Sequence, residues 1–366
     1  GYERHFHFGW LLTACVILFL LMPVSSYGQR EHFAALLTLP LLGLAAIRCA
    51  GKRPDVWMVV LSGLALGCIG AIKPPLISIA VLLSLLAAFH SRSWRVFLAP
   101  ENWIGAAVFA TYLAAIVFLH PAFVRDVMPL LRDVYLPARF LLIILMAPAF
   151  WVMIGLVFHS AMMHRADWVN PPICLVYAAA SGYFFSYIMQ MKFFDYHALP
   201  VAIFLMLALC MGILRLQPVT GSWVVPRTGR LTGLLIIGVL GGFNFHDFYS
   251  SQYNGNLTKV VQAINPAARV AGFGVMPGPQ IRAVRDAGGS WVGSFGYTYV
   301  PGYAAWFRAH ETVSAEWGAR LDFWERWTAD VSARDIAEKK PDIILFLDEK
   351  LLQWPTWLKQ YPQMVK

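Results

Sequence analysis

Residues 27–42 read YGQREHFAALLTLPLL. Gln29, Arg30, Glu31 and His32 stand directly before one apolar run, residues 33–50, and just after another, residues 9–26. Crossing the hydrocarbon of a bilayer takes about 20 apolar residues. The stretch therefore reads as a polar turn at a membrane edge, joining two spanning helices.

The same alternation continues down the chain. Segments 56–72, 75–90, 103–120, 138–160, 172–190, 198–215 and 231–248 are further apolar runs, so nine spans are expected. The chain is 58% hydrophobic and 13% charged with a mean hydropathy of +0.59, outside the balance of a soluble domain. The character changes near residue 250. Tyr249–Lys366 holds 24 of the 49 charged residues. Two domains are expected: a transmembrane domain, 1–249, and a small soluble α/β domain, 250–366. In the second, ARVAGFGV and PDIILFLDE (341–349) are strand-like, PGPQIRAVRDAGG has a helical middle with a glycine stop, and 317–338 has helical character.

The formal charge of +9 does not imply nucleic acid, because 16 of the 29 basic residues lie in or between the apolar runs. Membrane topology accounts for them. A cytoplasmic N-terminus puts ten basic residues in the inner segments, among them Arg48, Lys52, Arg53 and Arg92, and six in the outer ones: Arg30, Lys73, Arg125, Arg132, Arg139 and Lys192. In that orientation YGQREH, IKPP (72–75), the connector 120–137, MKFFDYHALP (191–200) and the whole tail share the outer face. Residues 121–137 space their apolar side chains like a helix and read as amphipathic, lying along the interface. All five cysteines fall in apolar runs, which indicates neither a disulfide framework nor a Cys-based zinc site. There is no Walker A lysine motif, no G-x-G-x-x-G and no G-x-S-x-G, which argues against a cytosolic nucleotide-sugar enzyme.

Three polar clusters are candidates for chemistry. Lys73 lies between two apolar runs, where an ammonium costs enough to require an anionic partner such as a phosphate. In the opening stretch, Arg30 can grip a phosphate bidentately, Glu31 can accept a proton or orient Arg30, and Gln29 and His32 can donate to sugar hydroxyls or a lipid phosphate. The third cluster is Lys192, Asp195, Tyr196 and His197, read as substrate contacts. Asp195 and His197 are two positions apart; no metal site is assigned, although a divalent metal is possible there. His246 and Asp247 form a lower-ranked polar edge.

YGQREHFAALLTLPLL, AIKPPLIS and KFFDYHALPVAIF, in this order, resemble polytopic bacterial membrane proteins of the GT-C glycosyltransferase fold, and the tail with NPAARVAGFGVMPGP and PDIILFLDE looks like their outer soluble domain. The resemblance implies transfer of a sugar from a polyprenyl-phosphate donor to a lipid or glycan acceptor of the cell envelope, at the outer face of the bacterial inner membrane, among membrane lipids and possible membrane-protein partners. No cofactor is expected. The resemblance also implies a catalytic base in an acidic first outer loop, which is expected before Gly1. Within the chain, the candidates for that role are Glu31 and Asp195. The alternatives are a non-catalytic membrane subunit that scaffolds a larger complex and a transporter of lipid-linked glycans.

Overall fold

The structure, a computed structural model, describes residues 2–23, 28–139, 145, 150, 151, 153–155, 157, 158, 171–192, 194–215, 255–274, 280–296, 298–346 and 352–364. The chain divides into two compact units. One comprises residues 1–120 and 139–245, the other residues 121–138 and 246–366.

The first unit is a helical membrane body. Its helices are α1 (Tyr2–Val16, continued by a π-turn, Ile17–Leu21), α2 (Arg30–Cys49), α3 (Val56–Ile72), α4 (Ile77–Ser91), α5 (Pro100–Leu119), α6 (Pro171–Gln190) and α7 (Asp195–Arg215). Among the described residues, four helices are long and apolar enough to cross a membrane: Arg30–Cys49, Pro74–Ser91, Trp94–Leu119 and Pro171–Gln190. This differs from the expected nine for two reasons. The expected spans 9–26, 56–72 and 198–215 form shorter apolar helices, Gly9–Leu21, Val56–Ile72 and Tyr196–Met211. The expected span 231–248 and most of 138–160 lie outside the described residues, as do Tyr27, His246 and Asp247.

Helix α7 forms the centre of the body. Every residue from Ala198 to Leu209 is buried, with Ile203, Phe204 and Leu209 fully so. A helix apolar all round is stable only when surrounded. At the periphery, α5 leaves Val117, Phe118 and Leu119 exposed, as a lipid-facing helix does.

Helices α3 and α5 meet through glycine. Gly63 and Gly67, four residues apart, lie against Ile104 and Val108, while Gly105 of α5 receives Leu66. A Cβ on Gly67 would stand 2.4 Å from the Val108 Cβ and 2.8 Å from the Gly105 carbonyl oxygen, so a side chain there must push the helices apart. In a bilayer, close backbone approach of this kind replaces the missing hydrophobic drive for helix association. Gly67→Ala is expected to cost about 1–3 kcal/mol, read as a lower unfolding midpoint in mixed micelles. An unchanged midpoint would show that α5 moves away freely.

At one end of this pair, the Arg48 guanidinium grips the Glu101 carboxylate bidentately at 2.7 and 2.6 Å. Glu101 is only 5% exposed, and its place in the first turn of α5 suits the helix dipole.

The second unit is the small α/β domain. It contains α8 (255–264), β1 (Arg269–Phe273), α9 (Gln280–Asp286), β2 (Ser290–Trp291), α10 (Tyr299–His310), α11 (Ala315–Lys339), β3 (Ile343–Phe346) and α12 (Trp354–Leu358). Its three strands are all parallel in the order β2-β1-β3, with Val270 opposite both Trp291 and Ile343. Parallel neighbours need crossovers, which α9 supplies on one side of β1 and α10 with α11 on the other. Ser314 caps α11 by accepting the Trp317 N–H at 3.2 Å.

The connector groups with this second unit. It is helical, with π-turns at Phe123–Val127 and Leu131–Tyr135 flanking Met128–Leu130. Asp133 is the reason for its placement. It is buried, its Oδ2 accepts the Trp324 indole N–H at 3.2 Å, and its backbone carbonyl accepts the Trp317 indole N–H at 3.0 Å. Arg132 at 2.9 Å and Arg320 at 3.5 Å balance its charge.

Candidate functional site

Local sequence chemistry brings three side chains to one end of the membrane body. Lys73 ends α3 because Pro74 follows it. The proline ring excludes the helical conformation at the preceding residue, and Lys73 is extended, with φ −164° and ψ 105°. Pro74–Leu76 then makes a 3₁₀ turn into α4, with proline in first-turn positions that need no N–H. Glu31 lies in the first turn of α2, where a carboxylate is favoured by the helix dipole. His197 lies in the first turn of α7, its N–H bonded to the Phe194 carbonyl at 3.0 Å.

These three form a closed cluster. Lys73 Nζ donates to Glu31 Oε1 and approaches His197 Nε2 at 3.0 Å, while His197 Nε2 lies 3.2 Å from the same Glu31 oxygen. The Glu31 and His197 side chains are 3% and 1% exposed. An ammonium has only donors, so it imposes the acceptor role on His197 Nε2 and leaves the ring proton on Nδ1. Among the described residues, neither that Nδ1 nor Glu31 Oε2 has a hydrogen-bond partner. The cluster thus offers one unfilled acceptor and one unfilled donor in a buried place, where each unmade bond costs about 1–3 kcal/mol.

The floor below is built from α2 and α6. Thr38 Oγ1 donates to the Ala34 carbonyl at 2.9 Å, so the Tyr183 hydroxyl, also at 2.9 Å, donates to Thr38. Tyr183 stacks on Phe204 of α7 with ring centroids 5.5 Å apart. Nothing in the spacing of Thr38 or Tyr183 distinguishes them from ordinary span residues, and they were not among the expected site residues.

The other expected residues have different fates. Arg30 and Gln29 are exposed at the start of α2, and the expected Arg30–Glu31 partnership is replaced by Lys73–Glu31. His32 does not face a ligand as expected. It is 1% exposed; its Nδ1 accepts the Gly28 N–H at 3.1 Å and its Nε2 donates to the Phe19 carbonyl at 2.7 Å. Phe19 lies in the π-turn Ile17–Leu21, where the helix repeat leaves carbonyls in need of donors. His32 is therefore a staple between that turn and the start of α2.

Lys192 is buried in the short link between α6 and α7, where Met191 takes a left-handed conformation with φ 47°. Burial, with the nearby charges of Arg139 and Lys73, pushes its ammonium down to about 8. Tyr196 stacks on Phe194 with centroids 5.3 Å apart and meets His197 edge-on at 4.5 Å. Asp195 begins α7, but its side chain lies outside the described residues. Among the described residues there is no group of three or more His, Cys, Asp or Glu side chains placed to hold a metal ion.

No family model, curated protein or solved structure matches this chain.

Proposed function

We propose that the protein is a GT-C type membrane glycosyltransferase that moves a sugar from a polyprenyl-phosphate donor to an envelope lipid or glycan at the outer face of the bacterial inner membrane, with the second unit on that same face. The observation that carries this reading is the Glu31–Lys73–His197 cluster. It draws together residues 31, 73 and 197 of the chain, and its unfilled acceptor and donor suit a hydroxyl-bearing substrate.

In this reading Arg30, Lys73 and Lys192 hold the phosphate of the donor. The acceptor hydroxyl gives its proton to Glu31 Oε2 as its oxygen bonds to the anomeric carbon. The bond from that carbon to the phosphate oxygen breaks, and polyprenyl phosphate leaves as a dianion. Charge is conserved, since the negative charge lost at Glu31 reappears on the phosphate, and Lys73 stays balanced by turning from one to the other. A positioned base contributes about 10²–10⁴-fold in rate, and a donor aimed at developing charge about 2.7–4 kcal/mol.

The test is release of polyprenyl phosphate from polyprenyl-phosphate-linked pentose and hexose donors by the protein in lipid nanodiscs, with envelope glycolipids as acceptors. Glu31→Gln should lower turnover by at least about 100-fold with donor binding retained. Turnover equal to wild type would remove Glu31 from the reaction, and absence of turnover with every donor would favour the scaffold reading.

Lys192 adds a pH dependence. Only its charged form attracts a phosphate, and its ammonium titrates at about 8. Affinity for the donor phosphate is expected to fall as pH rises through about 8, and the fall should vanish in Lys192→Arg, which stays charged. Titration of inorganic diphosphate between pH 6.5 and 9.5 reads this; the same fall in Lys192→Arg would assign it to another group.

A further inference from the structure

The second unit contains an open cleft of about 530 Å³ where the connector meets the start of α11, lined by Arg132, Asp133, Pro137, Glu316, Trp317 and Arg320. We propose that this cleft is a binding site for neutral carbohydrate, separate from the polar cluster of the membrane body and independent of whether that cluster performs glycosyl transfer.

Charge balance excludes the simplest alternative, an anion site. The lining carries two arginines and two carboxylates, and they are already paired: Arg132 with Asp133 at 2.9 Å, Arg320 with Glu316 at 2.6 Å, and Arg320 with Asp133 at 3.5 Å. A phosphate or acidic peptide entering here would meet a carboxylate beside each guanidinium. A neutral polyol gains from the same arrangement, because each hydroxyl both donates and accepts, and paired guanidinium and carboxylate groups offer both roles side by side.

Two further observations point to a ligand. Among the described residues the buried Arg320 Nε makes no hydrogen bond: Asp133 Oδ1 stands 3.5 Å from it as an ion-pair partner, while Nη1 donates to Glu316 at 2.6 Å. A ligand hydroxyl would supply the acceptor. The wall of the cleft also includes an indole held in a fixed pose. Trp317 is tied by its Nε1–H to the Asp133 carbonyl and packs against Phe307 with centroids 4.8 Å apart. A rigid indole offers an apolar surface to the C–H face of a sugar ring at little entropic cost, while the polar rim takes its hydroxyls.

The test uses the full chain in lipid nanodiscs and needs no donor. Maltotriose, cellotriose, mannotriose and N-acetylchitotriose are titrated by saturation-transfer NMR, with tripolyphosphate as anionic competitor. At least one trisaccharide should bind saturably. Arg320→Lys keeps the charge and removes the Nε–H, and Trp317→Phe keeps the packing on Phe307; each should weaken binding about tenfold or more. Tripolyphosphate should not compete. The proposal is overturned if no trisaccharide saturates, if both variants bind as wild type, or if tripolyphosphate displaces the sugars. Should either variant fail to fold, judged by protease resistance of the second unit, the wild-type titrations and the phosphate competition decide alone.

Discussion

A Lys73→Met variant is expected to lose about 3–5 kcal/mol of stability in the membrane body, because it leaves the Glu31 carboxylate buried without its counter-charge. The cost comes from desolvation and not from the loss of attraction alone. Glu31 is 2% exposed, and among the described residues its Oε2 makes no hydrogen bond, so the carboxylate is poorly compensated once the ammonium is gone. The double variant Glu31→Gln with Lys73→Met should recover most of the loss, since a neutral amide tolerates the site. Unfolding in mixed micelles, followed by protease accessibility, measures both. Equal losses in the single and double variants would mean that the pair is not the source of the stability.

Asp133→Leu should cost about 3 kcal/mol in the second unit. The change leaves the buried Trp324 indole N–H without its acceptor, worth about 1–3 kcal/mol, and removes the carboxylate that balances Arg320. Burial pushes the Asp133 carboxyl up, but its hydrogen bonds from Arg132 and Trp324 and the charges of Arg132 and Arg320 prevail, holding it below the ordinary aspartate value of 3.8. A depressed carboxylate gives stability that is present above its unfolded value and lost as pH falls through its folded one. The wild type should therefore lose this contribution only below about pH 3.8, whereas Asp133→Leu lacks it at every pH. Urea unfolding followed by tryptophan fluorescence reads both effects. A change smaller than about 0.5 kcal/mol would make the anchoring of the connector incidental.

Much of this architecture is legible in the residues themselves, and the exceptions have physical causes. Apolar run length places α2, α4, α5 and α6, and prolines 74 and 75 mark the end of α3 because they forbid its continuation. The need of Lys73 for an anionic partner is also legible, from the cost of a cation near hydrocarbon; the identity of that partner is not. Glu31 reads as the neighbour of Arg30 in a linear string, yet consecutive helical residues point about 100° apart, so Arg30 faces outward and Glu31 inward. His32 reads as a ligand because histidine usually is polar and accessible. Its burial follows from a π-turn 13 residues earlier, which no periodicity in ILFLL announces.

The connector shows the same limit. Arg125, Asp126, Arg132 and Asp133 look like two equivalent pairs on an interfacial helix. The first pair is exposed, whereas Asp133 is buried against two tryptophans that follow it by more than 180 residues. Pairings at that separation are set by tertiary packing and leave no local trace. Glu101 and Arg48, 53 residues apart, are a further case.

A lipid-borne phosphate is expected to bind at the cluster end of the membrane body. Native mass spectrometry of the protein in nanodiscs, titrated with polyprenyl phosphate and, separately, with the matching uncharged polyprenol, tests it most directly. Saturable retention of the phosphate form over the alcohol is expected, reduced about tenfold or more by Arg30→Ala with Lys192→Ala. Equal retention of phosphate and alcohol, or no difference between wild type and the double variant, would contradict it.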